Sequence, residues 1–299
     1  MCDEGYGLIT YKTDRFGLRN PDKNWNNIYK KNNIFIVGDS FIHGACVPEG
    51  GTISNNLERT TGINTLAIGM GGNNPYEYIA SLKSLVSPII QKSSESNIVI
   101  LSFYSNDIRA NINLKKESLI NSIKPIINDS GDNIYPSEFY INNLKSFIES
   151  LYPQSPEEII KEIKKKTKKP FKQTNFYTIA TLYPLRIKFG LAERLYSESK
   201  IFSNSVSRKS IIALSEICRN PCKPMVLYIP NSKILRPDKR SEKYKNDLKD
   251  ISAEMGIPFV DANDVIDSSK LKDYAPKGAH LSIKGYKKVA ELISQEIMK

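Results

Sequence analysis

The feature that most restricts the fold of this 299-residue chain is a short apolar run, Ile34-Phe35-Ile36-Val37, that ends at Gly38-Asp39-Ser40. Because no polar residue interrupts it, the run indicates a strand buried on both faces, as in a parallel sheet. Further strands are predicted at 64–69, 97–103, 223–230 and 257–261. Helical patterns are predicted over 76–90 and 285–298. Strands that alternate with helices in this way predict an α/β fold with a mainly parallel sheet.

The domain organisation predicted from the length is a single domain over 1–299 with two additions. Residues 1–32 are polar and rich in Asn, Asp and Gly, and they predict a loop-rich lead-in. Residues from about 112 to 215 are charged and aromatic with a helical pattern, and no strand is evident. We interpret this stretch as a helical insertion between the third and fourth strands, placed as a cap over the carboxyl edge of the sheet.

The charge and hydropathy patterns exclude several classes of protein. The formal net charge is +11, and much of it lies in the run 161–172, which holds seven lysines. Nucleic-acid grooves usually combine arginine and aromatic residues with lysine, so we interpret the run as a solvated helix and predict no nucleic-acid partner. No stretch of 18 apolar residues occurs, and therefore no membrane span is predicted.

The amino end and the cysteines bear on the compartment. The first residues have neither a basic nor an apolar region of a signal peptide, which predicts a cytoplasmic protein by default, or an extracytoplasmic one if a preceding segment has been removed. The four cysteines match no zinc spacing, and at this density we predict reduced thiols rather than disulfides. The oligomeric state is left open.

The candidate chemistry lies where predicted strands end, which is where open parallel sheets collect functional groups. Ser40 stands at a strand-to-helix turn, Gly72 follows the second strand, Asn106 follows the third, and His280 precedes the last helix. An ester reaction needs a hydroxyl nucleophile, a base and donors for the oxyanion. Ser40 and His280 supply the first two, and the Ser40 and Gly72 amides with the Asn106 side chain supply the donors. His43 is interpreted as a packed or surface neighbour.

These segments resemble the motif blocks of the SGNH (GDSL-type) hydrolases. Gly38-Asp39-Ser40 is similar to the first block, 66–72 to the second, Ser105-Asn106-Asp107 to the third and His280 to the fifth. The segment 11–20 is also similar to stretches that precede the nucleophile in bacterial members. The resemblance implies a flavodoxin-like three-layer α/β/α sandwich and ester hydrolysis or acyl transfer without a metal or organic cofactor. Only two histidines occur in the chain, which excludes a multi-histidine metal centre.

One position departs from the family pattern, in which an aspartate three residues before the histidine orients the imidazole. Lys277 occupies that place, and its side chain accepts no hydrogen bond. Asp273 is the first candidate for a relocated acid, and Asp261 and Asp264 are others. A Ser–His dyad or an inactive protein are the remaining interpretations.

The function predicted is a serine esterase that hydrolyses a small acyl ester by an acyl-enzyme mechanism. The resemblance suggests an ester on a carbohydrate, so the expected partner is a saccharide or another small-molecule ester. Two alternatives stay open: an O-acyltransferase that moves an acyl group to a polysaccharide, and a catalytically silent carbohydrate-binding module. Nucleic-acid binding through the lysine run is a third.

Overall fold

The computed structural model describes residues 3–7, 9–107, 206–238 and 240–299, together with the backbone of two short strands at 125–127 and 134–136. The predicted insertion over about 112–215 therefore lies largely outside the described residues, as does the lysine run 161–172. Within the described residues, no helix is long and apolar enough to cross a membrane.

Five parallel strands form the central sheet, as the sequence predicted. The seven strands of the described chain are β1 (Asn33–Gly38), β2 (Asn64–Gly69), β3 (Asn97–Tyr104), β4 (Pro125–Ile127), β5 (Ile134–Pro136), β6 (Cys222–Ile229) and β7 (Phe259–Asp261). The main sheet has the order β2-β1-β3-β6-β7, and all its pairs are parallel. Numbered along the chain, this is the order 2-1-3-4-5 of the flavodoxin-like sheet.

The helices of the described chain vary from four to 15 residues in length, and the longest follows the last strand. They are α1 (Ser40–His43), α2 (Ile53–Thr61), α3 (Pro75–Ser81), α4 (Ser87–Lys92), α5 (Val206–Ile217), α6 (Ser241–Glu254) and α7 (Ile283–Ile297). One π-helical turn, Leu82–Val86, joins α3 to α4, so the predicted helix over 76–90 is present with a wider turn inside it. Helix α2 was not predicted, since its residues are mostly polar.

The sheet is covered on both faces, which makes the three layers of the predicted sandwich. Alternate strand residues such as Ile34, Ile36 and Ile100 share one apolar cluster with residues of α2 and α7. The intervening side chains point to the opposite face, where the ring of Phe103 lies 5.9 Å from Tyr78 of α3 and 6.4 Å from Tyr244 of α6. All eight residues of β3 are buried, as expected of a central parallel strand.

The lead-in is more ordered than its loop-like composition predicted. It contains two 3-10 turns, Asp22–Trp25 and Ile28–Lys30, and the Trp25 side chain is fully buried. The Asp14 carboxylate accepts hydrogen bonds from the Trp25 indole, at 2.7 Å, and from the Asn20 side chain, at 2.8 Å. These polar residues satisfy one another, so the segment packs against the domain although it has no periodic pattern.

Two features of the predicted insertion and its border differ from the sequence prediction. Strands β4 and β5 form an antiparallel pair within the stretch predicted to be only helical. Helix α5, at its carboxyl border, packs on α3 and α6 and thus belongs to the main domain.

The prediction of reduced thiols is wrong for Cys218 and Cys222, which form a disulfide with a Cα–Cα distance of 4.6 Å. A tight turn between α5 and β6 brings the two residues together, and this proximity is not visible from the cysteine spacing.

Candidate active site

The candidate nucleophile lies at the junction of β1 and α1. The Asp39 carboxylate caps this short helix by accepting a hydrogen bond from the Phe41 amide at 2.9 Å, as N-cap aspartates do. Ser40 is then the first helical residue, and its N–H has no acceptor among the described residues. Gly69 lies beside this turn on β2, and a Cβ there would come within 2.8 Å of the Asp39 carbonyl oxygen. The close approach of the two strand ends therefore requires a residue without a side chain.

Ser40 and His280 are adjacent, although 240 residues separate them in the sequence. The Ser40 Oγ lies 2.9 Å from the His280 Nε2, within ordinary hydrogen-bond distance. His280 precedes α7, whose N-cap Ser282 accepts a hydrogen bond from the Gly285 amide. The imidazole packs on the Phe41 ring with a centroid distance of 4.9 Å, and Phe41 in turn packs on Tyr104 at 4.1 Å. This aromatic stack limits the rotation of the imidazole.

The carboxylate beside the imidazole comes from the amino end of the chain. The Glu4 Oε1 lies 2.8 Å from the His280 Nδ1, and the Glu4 Oε2 accepts a hydrogen bond from the His280 backbone N–H at 3.2 Å. With Nδ1–H directed at a carboxylate, Nε2 presents its lone pair to Ser40. Burial of Glu4 raises the pKa of its carboxyl group, but the hydrogen bonds and charge of His280 outweigh this effect and leave the pKa below its usual value.

The acid candidates predicted from the sequence lie elsewhere. The Asp273 side chain is fully buried and pairs with the Lys288 Nζ at 2.8 and 2.9 Å. Asp261 forms an ion pair with Lys245 at 3.3 Å. The expectation that Asp273 orients His280 is therefore wrong, because helix α7 provides a cation that holds this carboxylate away from the imidazole.

Lys277 takes part in the site through its backbone rather than its side chain. Its N–H donates a hydrogen bond to the Glu4 carbonyl oxygen at 2.8 Å, while its side chain is exposed. Gly278 lies against the Glu4 carboxyl group so closely that a Cβ would overlap it. The loop before His280 thus forms the seat for Glu4, which sequence reasoning missed. The one feature of the sequence that pointed to an acid from elsewhere in the chain was the absence of a carboxylate at position 277.

The predicted oxyanion donors lie at the same carboxyl edge of the sheet. Gly72 is exposed in the turn after β2 with a φ of +87°, a backbone conformation that favours glycine. Its N–H has no acceptor among the described residues. Asn106 is exposed after β3, and its side chain lies close enough to Asp39 to lower the pKa of that carboxyl group.

Two buried carboxyl groups support the floor of the site. Burial raises the pKa of Asp39 to about 6, even though the Phe41 amide, the charge of His280 and the Asn106 side chain all lower it. Burial, followed by the charge of Asp39, raises the pKa of Asp107 as well. Asp107 accepts hydrogen bonds from the Tyr78 hydroxyl and the Tyr104 amide, both at 3.0 Å, and so fastens the end of β3.

His43, the other histidine, is not part of this constellation. Its Nε2 lies 2.7 Å from the Tyr11 hydroxyl, and the two rings meet edge to face at 5.2 Å. Burial, together with the charge of Arg19, lowers the pKa of His43 to about 4. The imidazole is therefore neutral at physiological pH and packs from the end of α1 against Tyr11 of the lead-in.

Among the described residues, one group of side chains has the donor types and spacing to hold a metal ion: Glu4, Cys46 and His280. It does not fit a metal site, because the Cys46 sulfur belongs to a disulfide and offers no thiolate. The remaining two side chains are hydrogen-bonded to each other.

Comparison with known proteins gives similarity at the level of structure. No protein-family model and no curated protein matches the sequence. A member of the lipolytic protein G-D-S-L family from Veillonella parvula matches with 11% identity over 89% of this chain and 98% of its own, with a TM-score of 0.49.

Two further solved structures match in the same way. A carbohydrate acetylesterase from Sinorhizobium meliloti is 10% identical over 90% of this chain and 99% of its own, with a TM-score of 0.46. An aryl esterase from M. smegmatis is 11% identical over 89% and 98%, with a TM-score of 0.43. The chain is thus similar in structure to solved G-D-S-L (SGNH) hydrolases, the family that its sequence motifs resemble.

Proposed function

We propose that this chain is a serine esterase that hydrolyses small acyl esters through an acyl-enzyme, with Ser40, His280 and Glu4 as its catalytic triad. The observation that carries the proposal is the continuous chain of hydrogen bonds from the Ser40 Oγ through both ring nitrogens of His280 to the Glu4 carboxylate, with contacts of 2.9 and 2.8 Å. Serine hydrolases on unrelated folds share this arrangement, in which a nucleophile contacts a base and a third group orients the base.

The first half of the reaction forms the acyl-enzyme. The His280 Nε2 removes the hydroxyl proton as the Ser40 Oγ attacks the ester carbonyl carbon, and a tetrahedral oxyanion forms. Glu4 stabilises the imidazolium cation that develops, since its own lowered pKa keeps it ionised. The intermediate then collapses, the bond to the leaving oxygen breaks, and His280 returns the proton to the departing alcohol.

The second half releases the acid. Water loses a proton to the His280 Nε2 as its oxygen attacks the acyl carbon, and a second tetrahedral oxyanion forms. This intermediate collapses, the bond between the acyl carbon and the Ser40 Oγ breaks, and His280 returns the proton to that oxygen. In both halves the oxyanion is stabilised by the Ser40 and Gly72 N–H groups and the Asn106 side chain. Gly72 is exposed, and neither amide has a competing acceptor in the part of the chain that the structure describes. Both facts support these assignments, because preorganised donors stabilise an oxyanion most when they give up no existing hydrogen bond.

The carboxylate on His280 also bears on the alternative of a silent binding module. That interpretation was motivated by Lys277, which stands where an acid is usual. Glu4 provides a carboxylate from another part of the chain, so the site has all the parts that turnover requires. The acyl group is proposed to be small, and the alcohol a carbohydrate, on the resemblance of the motifs.

The test is covalent labelling with a fluorophosphonate together with hydrolysis of 4-nitrophenyl acetate. We expect one equivalent of label on Ser40, and loss of both labelling and turnover in Ser40→Ala. Ser105→Ala, at a buried serine on the same sheet edge, is the matched control and should keep its label. A wild-type protein that is folded yet neither labelled nor active would refute the proposal. Acetylated oligosaccharides, with and without a free sugar as acceptor, then compare hydrolysis with transfer.

A further inference from the structure

Cys46 lies beside the candidate triad but has no part in the mechanism above. Its side chain is buried, and its sulfur lies 3.8 Å from the His280 Nδ1, the nitrogen that faces Glu4. The backbone at Cys46 has a φ of +66°, which is uncommon for a residue with a side chain. The sulfur is in a disulfide. A cross-link therefore ends within contact distance of the candidate base.

The segment that carries Glu4 has few other attachments. Among the described residues, the arm 3–7 is joined to the domain through the Glu4 carbonyl and carboxylate, which bind the loop at Lys277 and His280, and through partial packing of Tyr6 against the core. In the described ranges, the Asp3 carboxylate accepts hydrogen bonds only within the arm, from the Gly5 and Gly7 amides. A segment held to its domain by so few contacts opens locally at low cost, so a carboxylate placed on such an arm needs a further constraint.

The disulfide partner of Cys46 follows from the number of cysteines in the sequence. The chain has four cysteines, and Cys218 and Cys222 are bonded to each other. The cysteine left for Cys46 is Cys2, which lies outside the described residues. Only Asp3 lies between Cys2 and Glu4 in the sequence, so the Cα atoms of Cys2 and Glu4 are at most about 7 Å apart. The Glu4 carboxylate and the Cys46 sulfur both approach the His280 imidazole, within 4.8 Å of each other. A cysteine two residues from Glu4 is thus within reach.

We propose that Cys46 is a positioning residue, whose disulfide with Cys2 clamps the amino-terminal arm so that Glu4 stays on the His280 Nδ1. The inference rests on the proposed function, because it concerns the acid of the same triad. Without the cross-link, only the contacts of residues 3–7 hold Glu4 at His280, and its effective concentration at the imidazole falls.

The clamp makes turnover depend on redox state. A dithiol reductant transfers two electrons to the disulfide: the S–S bond breaks, Cys2 and Cys46 become thiols, and the reductant becomes a cyclic disulfide. Reduction is expected to lower kcat about tenfold and to leave KM within about twofold. The reason is that the arm contacts His280, so the cross-link acts on the acid of the triad, which contributes mainly in the transition state. Such a device works where disulfides persist, in an oxidising compartment.

Two experiments on the full chain test the inference. Peptide mapping by mass spectrometry under non-reducing conditions should find Cys2 linked to Cys46, a result that does not depend on any activity. Kinetics of 4-nitrophenyl acetate hydrolysis should then show the same loss of kcat in Cys2→Ser, in Cys46→Ser and in the reduced wild type. Cys2→Ser breaks the cross-link without altering a side chain beside His280. The double variant Cys218→Ser/Cys222→Ser removes the other disulfide, which lies at the start of β6, away from the carboxyl edge of the sheet. This variant should keep kcat unchanged.

Combining Cys2→Ser with Glu4→Gln distinguishes a cross-link that positions the Glu4 carboxylate from one that only stabilises the fold in general. If the cross-link acts through the carboxylate, adding Cys2→Ser to Glu4→Gln should lower kcat no further. An equal further loss in that background, an unchanged kcat in Cys2→Ser, or Cys46 found unlinked to Cys2 would each overturn the inference. An oxidised wild type without Ser40-dependent turnover overturns the proposed function instead, and peptide mapping still decides the linkage.

Discussion

Replacing Glu4 by glutamine removes the negative charge beside His280 and leaves one acceptor oxygen where the carboxylate has two, facing the His280 Nδ1 and backbone N–H. The glutamine amide keeps an oxygen that can accept the Nδ1 hydrogen, so the shape of the site is preserved. The lost interaction is a charge-assisted hydrogen bond of 2.8 Å between side chains that are 16% and 18% exposed. Because both side chains are mostly shielded from solvent, screening of the pair is weak, and we take about 2 to 3 kcal/mol, the upper part of the range for hydrogen bonds to charged groups.

The carboxylate matters most when His280 carries the proton of Ser40, so its loss should raise the activation barrier rather than weaken substrate binding. At about 1.4 kcal/mol per factor of ten, 2 to 3 kcal/mol corresponds to a kcat lower by roughly 30- to 150-fold. KM should change by no more than about twofold, because no contact with the substrate is removed.

The assay is steady-state hydrolysis of 4-nitrophenyl acetate at pH 8, with folding checked by circular dichroism. Asp3→Asn is the matched control, because it removes a carboxylate from the adjacent residue of the same arm. Within the described part of the chain, Asp3 accepts hydrogen bonds only from the Gly5 and Gly7 amides. Asp3→Asn should keep wild-type kcat. A Glu4→Gln enzyme within threefold of wild type, or one matched by Asp273→Asn in its loss of kcat per folded molecule, would refute the assignment of Glu4 as the acid.

Two further predictions concern the seat of Glu4 and the buried floor of the site. Gly278→Ala places a Cβ in the space of the Glu4 carboxyl group. Because the Glu4 side chain can move aside, we expect a loss of kcat of at least about tenfold while the melting temperature changes little. An unaltered kcat would contradict this geometry. Asp39→Asn keeps the acceptor for the helix cap but removes a buried charge whose pKa is raised from 3.8 to about 6. Because the folded state binds the proton more tightly, wild-type stability should fall between about pH 4 and pH 6, so the variant should exceed it by up to about 3 kcal/mol at pH 8 and match it near pH 4. Urea unfolding at both pH values measures this difference, and a gap that does not vary with pH would count against a buried, perturbed Asp39.

The amino-acid sequence predicted the sheet well because the relevant signals are local. The strand starting at Asn64 ends at Gly69, as expected, and β3 differs from its prediction by one residue. Uninterrupted apolar runs of this kind are typical of strands that are buried on both faces. The polar residues after them, such as Ser40 and Asn106, then lie at one edge because parallel strands all end there.

The acid could not be found in this way. Glu4 and His280 are 276 residues apart, and nothing in the polar lead-in distinguishes Glu4 from the other carboxylates. Asp273 was preferred because it is close to His280 in sequence, yet the direction of its side chain is decided by Lys288 on α7. The disulfides were missed for a related reason, since cysteine density does not say which sulfur atoms meet.

The sequence by itself therefore determined the strands, their parallel arrangement, and the candidate nucleophile and base at the carboxyl edge. Each of these follows from short-range patterns of apolar and turn-forming residues, which act within a few positions of the chain. The tertiary structure alone decided which carboxylate meets His280 and that Cys46 ends a cross-link beside it. Those contacts join distant segments whose polar residues have many possible partners, and only the packed geometry, in which each buried polar group must find a partner, selects among them.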